Sequence, residues 1–170
     1  MYDGHGDAEA YSLVKDHFTV LQRAIADSDG SIVKTIGDAV MAVFCRPLSA
    51  IEAAFEVHSA ISKLNESKKQ DKHLVVKIGI HGGSALCIND NGTLDYFGSM
   101  VNKAARVQGL SRGGDVVISQ ELFKDEDVAR YVSSELSSNR LKVAPFAAEL
   151  KGIGGTSEVY RLTNCEGIDE

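Results

Sequence analysis

Two short stretches of the 170-residue chain carry side chains suited to phosphate or metal chemistry. In Lys34-Thr35-Ile36-Gly37-Asp38 the aspartate stands on a glycine turn between two apolar runs, Ser31 to Ile36 and Ala39 to Phe44. A carboxylate held at a sheet end can bind Mg²⁺, which takes one or two carboxylates and lets substrate phosphates complete its shell. A plain Gly-Asp hairpin fits the same residues, because both favour turns by their own conformational preferences. In the second stretch, Leu94 to Arg106, Asn102 and Arg106 lie four residues apart. On a helix they share one face. Arginine offers a planar fork of donors matched to phosphate oxygens, and asparagine beside it can hold a ribose. Val101, Ala104 and Ala105 leave the opposite side small and apolar. An exposed polar helix face is the plain alternative.

Composition narrows the setting. The length suits one domain, 1–170, with a real core. Hydrophobic residues at 44% and charged residues at 25% match a soluble globular protein. A net charge of -6 argues against a nucleic-acid partner. No stretch approaches the roughly 18 apolar residues of a membrane span, and the N-terminus has no apolar signal-peptide core. Cys45, Cys87 and Cys165 are odd in number and far apart, which suggests neither a disulfide frame nor a zinc knuckle. Cytoplasm is the simplest location.

The elements that must position the two stretches follow from periodicity. Apolar residues from Asp7 to Ala26 recur at helical steps. The runs 31–36 and 39–44 read as two strands joined at Gly37-Asp38. Pro47 opens a second helix with Ala50, Ala53, Ala54, Val57, Ile61 and Leu64 on one face. Glu66 to Lys72 reads as a solvated connection, including Lys68-Lys69. Leu74 to Ile80 reads as a strand continued by Ala85 to Ile88 after a His81-Gly82-Gly83 turn, and Asn89 to Thr93 as a polar hairpin turn. A third helix is expected from Ser99 to Gln108, a short strand over Val116 to Ser119, a helical turn over Gln120 to Phe123 and a closing strand over Val159 to Leu162. Val128 to Arg140 is weakly patterned. Cys87, amid apolar neighbours, reads as a core residue. His81 reads as a hydrogen-bonded structural residue. Gly113-Gly114-Asp115, a weak likeness to the diguanylate cyclase signature, reads as a turn before a strand. The sum is one α+β domain with helices on one side of a mostly antiparallel sheet.

Taken together, the two stretches resemble a known family. Val33 to Phe44 and Leu94-Asp95-Tyr96-Phe97-Gly98…Val101-Asn102…Ala105-Arg106 look like the signatures of class III adenylate/guanylate cyclases, and Lys77 to Gly83 is similar to that family's hydrophobic-Gly-hydrophobic-His-x-Gly strand. The resemblance runs from about Gly6 to Leu162. It implies a ferredoxin-like βαββαβ core that dimerises head to tail, with substrate between protomers. By the same resemblance Asp38 matches one of two metal-binding aspartates, for Mg²⁺ or Mn²⁺. Lys34 and Asp95 match the pair that reads the purine, Asn102 the residue orienting the ribose, and Arg106 the one stabilising charge on the α-phosphate. Metal ligands would come from one protomer and the other residues from its partner.

The expected activity is conversion of ATP to cyclic AMP and pyrophosphate by a homodimer; the rival is a non-catalytic cyclase-homology domain that binds nucleotide or mediates dimerisation. Two departures qualify the match. The family's other metal aspartate, on the first strand, would fall several residues before Met1, since Asp3 comes too late; a longer natural chain, with an upstream regulatory domain, is the expectation. As it stands the chain is expected to make little cyclic AMP, one aspartate being unable to hold two metals. In Leu150 to Gly155, where some members carry a further phosphate-binding basic residue, Ile153 stands at that place and Lys151 is the substitute candidate.

Overall fold

A computed structural model describes residues 4–66, 73–90 and 93–165, and the side chains of 13–66, 73–89 and 94–165. Helix α1 (Gly4–Asp27) runs into a hairpin of β1 (Gly30–Ile36) and β2 (Ala39–Phe44). Helix α2 (Pro47–Glu66) follows, then β3 (Ile78–Ile80), β4 (Leu86–Asp90), β5 (Thr93–Phe97) and α3 (Ser99–Gln108). The chain closes through β6 (Val116–Ser119), α4 (Gln120–Phe123), α5 (Glu126–Ser137), β7 (Leu141–Glu149) and β8 (Thr156–Asn164).

The described strands form three pieces: the β1–β2 hairpin, the β4–β5 hairpin, and a sheet in the order β3-β6-β8-β7. In that sheet β3 pairs parallel with β6, and the other two pairings are antiparallel. Alternation along β6 assigns its faces. Val116 and Ile118 join Ile51, Ala54, Leu122, Val128, Val132 and Leu162 in one cluster, so α2, α4 and α5 cover that face. Val117 turns the other way, onto Val107 of α3, Leu150 and Val159. The helices therefore flank both faces rather than one, and α3, which bears Asn102 and Arg106, lies on the face away from α2, α4 and α5. A third cluster binds α1 to α2 through Leu21, Ala24, Ile25, Val57 and Ile61, with Ile32, Val40 and Phe44 of the hairpin packed against it.

Several expectations need correction. The run 74–77 is apolar enough for a strand but pairs with none, and Asn65 takes a strand partner's place. Its amide donates to the Leu74 carbonyl and accepts from the Leu74 N–H, both at 2.9 Å. The stretch after Gly83 does not continue β3; it enters a separate hairpin in which Leu86 faces Phe97 and Cys87 faces Tyr96. Cys87 is exposed on that hairpin, not buried in the core. The weakly patterned stretch is a helix, α5, capped by Asp125, whose carboxylate accepts from the N–H groups of Asp127 and Val128. β7 follows it, an edge strand that tolerates Pro145 because it pairs only with β8. Lys68 and Lys69 lie outside the described residues. Asp115 does end a turn: its carboxylate accepts from the Ser111 hydroxyl at 2.6 Å and from the Arg161 guanidinium at 2.5 Å.

Candidate active site

The two hairpins meet at the residues singled out for purine reading. Lys34, on β1, reaches across to β5 and donates to both carboxylate oxygens of Asp95, at 2.8 and 2.7 Å. The Tyr96 N–H also donates to Asp95 Oδ1, at 2.8 Å. The Lys34 hydrogen bond, helped by that N–H, holds the Asp95 carboxyl below its ordinary pKa. Asp95 is therefore an acceptor throughout the neutral range. The Lys34 ammonium also stands 5.4 Å from the centre of the Phe97 ring, which is half exposed. Phe97 shares a strand face with Asp95, two residues away. Its place beside the pair was not read from the sequence, although the i, i+2 spacing from Asp95 carried the signal.

A single glycine joins that pair to the next two residues. Gly98 has φ 125° and ψ 177°, a conformation essentially reserved for glycine. It turns β5 directly into α3, whose first turn closes with the Asn102 N–H on the Gly98 carbonyl at 3.4 Å. Asn102 and Arg106 then project from one exposed side of α3, one turn apart. The opposite side is anchored by Val107, fully buried, and not by Ala105, which is exposed. Close packing holds the helix down at its end. A Cβ on Gly79 of β3 would fall well inside van der Waals contact of the Gln108 backbone. Gly79→Ala should therefore lift the end of α3 and lower stability by about 1–3 kcal/mol, measurable by urea denaturation; an unchanged midpoint would show that the helix has slack.

Lys151 is brought towards the same helix from afar. It is exposed in the turn between β7 and β8, and its neighbours Leu150 and Ile153 pack in the cluster of Val107. This turn lines an open depression of about 470 Å³ with Glu149, Gly152 and Gly155. Asp38 is placed differently. It lies at the tip of the β1–β2 hairpin, after Gly37 at φ 63°, and is exposed. His17 of α1 meets its backbone carbonyl through Nε2 at 3.1 Å, tying the tip to the helix; nothing in the sequence links residues 21 apart in this way. The Asp38 carboxylate makes no ion pair among the described residues, so it is open to a cation. No group of three metal-capable side chains occurs among those residues, so Asp38 offers a single ligand. One chain thus brings Lys34 against Asp95 and joins Asp95 through Gly98 to Asn102 and Arg106, with the turn of Lys151 packed behind α3 and Asp38 at the tip of the hairpin that carries Lys34.

The family of adenylate and guanylate cyclase catalytic domains matches residues 1–160 of this chain. The chain belongs to that family. This cyclase domain is 32% identical over 128 residues to an adenylate cyclase of Mycosarcoma maydis, an alignment covering 64% of this chain and 5% of that protein. It thus spans a small part of that relative's length. Among solved structures it is similar to an adenylate/guanylate cyclase/hydrolase from Silicibacter pomeroyi, with a TM-score of 0.69, 23% identity, and coverage of 96% of this chain and 90% of that one. It is also similar to the guanylate cyclase domain of RhGC from Catenaria anguillulae, solved in complex with GTP, with a TM-score of 0.65, 18% identity, and coverage of 91% and 84%. These likenesses establish the cyclase fold, and they include neighbours named for both nucleotides. No helix among the described residues is long and apolar enough to cross a membrane.

Proposed function

We propose that this cyclase domain converts ATP to cyclic AMP and pyrophosphate, acting as a head-to-tail homodimer. The observation that carries the choice of ATP is the Lys34–Asp95 pair, a fixed donor beside a fixed acceptor. Lysine has three N–H donors, so Lys34 can keep Asp95 and still donate to adenine N1. The carboxylate has lone pairs left for the 6-amino group. Guanine presents the reverse pattern, a donor at N1 and an acceptor at O6. Each mismatch would leave a polar group unpaired, at a cost of about 1–3 kcal/mol.

Downstream of the purine, Asn102 would orient the ribose so that its 3′-hydroxyl faces the α-phosphorus. Arg106 would place positive charge where the equatorial oxygens gain negative charge, and Lys151 would add a contact to phosphate. Asp38 fits one ligand position of Mg²⁺ or Mn²⁺: its carboxylate is exposed, makes no ion pair among the described residues and is held on a short turn. When bound, such ions lower the pKa of the attacking hydroxyl and screen the leaving oxygens. The second protomer enters because the family resemblance implies a site shared between protomers, in which a mate would set its Asp38 tip against the Asp95-to-Arg106 segment across a nucleotide.

The test is a cyclase assay with ATP and GTP side by side. The protein is assayed both as residues 1–170 and with an added upstream strand that ends in an aspartate; whichever form turns over nucleotide is hereafter the competent form. Turnover of ATP in preference to GTP by the competent form, with Mn²⁺ or Mg²⁺, is the expected result. Nucleotide-dependent dimerisation without product from either form would instead indicate a non-catalytic cyclase-homology domain.

A further inference from the structure

Val107 is the buried anchor of α3 and the Gly79 contact lies at its end, so the first turns need other restraints if Asn102 and Arg106 are to keep one setting. Two groups on other elements, His81 and Glu121, grip the side of α3 away from them through Met100 and Lys103. His81, at the end of β3, has a side chain only 1% exposed. Its Nδ1 lies 2.7 Å from the Ser119 hydroxyl at the β6–α4 junction, and its Nε2 lies 2.9 Å from Met100 Sδ in the first turn of α3. The Met100 sulfur in turn fills the space beside Gly83, where a Cβ would stand 2.5 Å away. One turn on, Lys103 pairs with Glu121 of α4. The Lys103 side chain is 16% exposed, so this ion pair is sheltered on the helix side. Glu121 Oε2 also approaches His81 Nδ1 to 3.8 Å.

We propose that His81, Lys103 and Glu121 are positioning residues that fix the pitch of α3, and through it the places of Asn102 and Arg106 at the α-phosphate. The spacing supports this. Met100 and Lys103 are three residues apart and share a face, while Asn102 and Arg106 share another. The restraints thus hold the helix without occupying its working side. They also join α3 to β3 and α4, elements on which the opposite face of the sheet is built. Ser119 contributes twice, since its hydroxyl also caps α4 by accepting from the Leu122 N–H at 3.4 Å. Neutral imidazole suits this seat, having one donor and one acceptor for a hydroxyl and a thioether. Burial and the Lys103 charge lower the His81 pKa, outweighing Glu121. Burial raises the Glu121 carboxyl, but the hydrogen bond and charge of Lys103, with hydrogen bonds from its own backbone N–H and from Ser119, together bring it to about 2.

This inference rests on the cyclase reading for its kinetic arm alone. Lys103→Met, Glu121→Gln and the charge-swapped Lys103→Glu/Glu121→Lys variants are compared with wild type in the competent form. Each single change should lower kcat about 10- to 100-fold with little change in KM, as expected for a displacement near 1 Å of groups that act on the transition state. The swap should restore most of the loss. Independently, the ε-methyl NMR resonance of Met100 should move in both single variants and return towards its wild-type position in the swap. Unchanged kcat in the single variants, or parallel loss of kcat and thermal stability that the swap does not repair, would overturn the proposal. If wild type itself makes no product, the cyclase reading falls, and a Met100 resonance indifferent to Lys103→Met and Glu121→Gln would overturn the positioning role by itself.

Discussion

Asp38→Ala should abolish metal-dependent cyclisation in the competent form while leaving the fold nearly intact. The loss expected is on the order of 10³-fold in kcat, because an ion misplaced by one carboxylate forfeits several kcal/mol of charge stabilisation. The fold should tolerate the change because the carboxylate is exposed and makes no ion pair among the described residues. The contact that ties the hairpin tip to α1 uses the Asp38 backbone carbonyl, which alanine retains. Thermal unfolding should therefore shift by no more than an ordinary surface substitution, within about 0.5 kcal/mol. Initial rates of Mn²⁺-ATP turnover measured beside a melting curve separate the two effects. A rate equal to wild type would remove Asp38 from the site.

Exchange of Lys34 and Asp95, the pair proposed to read the purine, is the second large effect. Lys34→Glu combined with Asp95→Cys should turn the preference from ATP towards GTP. Two hydrogen bonds change sign, so the swing in relative kcat/KM should correspond to about 2–6 kcal/mol, or roughly 30-fold and upward. The double change is essential. Lys34 and Asp95 are in direct contact at 2.7 Å, so Lys34→Glu alone would set two carboxylates face to face and raise the pKa of one of them. Cysteine at 95 removes that repulsion and offers a weak donor to the guanine oxygen. Competition assays with ATP and GTP in one vessel read the ratio directly. An unaltered ratio would discredit the assignment of Lys34 and Asp95 to the base.

Local patterns made much of the fold legible. The Gly37-Asp38 turn between two apolar runs, the helix from Ser99 to Gln108 and the strand from Val116 to Ser119 all depend on neighbours within a few residues. Periodicity and glycine placement report such features directly. β7 escaped notice because it is an edge strand: one side of it meets solvent, its apolar residues are diluted, and Pro145 reads as a breaker until the free edge is known. α5 escaped because its helix start depends on the Asp125 cap rather than on a long apolar stripe. Cys87 misled because an apolar run in a two-stranded hairpin looks like a buried strand when only its own residues are considered.

The candidate site divides along the same line. Residue types and spacing by themselves determined the chemistry on offer: a carboxylate on a turn, a lysine and an aspartate far apart in sequence, and an asparagine and arginine one helical turn apart. Only the tertiary structure decided that Lys34 and Asp95 touch across 61 residues of chain, that Gly98 couples them to α3, and that His81, Lys103 and Glu121 hold that helix from behind. The reason is physical. Sequence periodicity records which side of an element is apolar, whereas contacts between elements depend on how sheet and helices pack, and no local pattern encodes that.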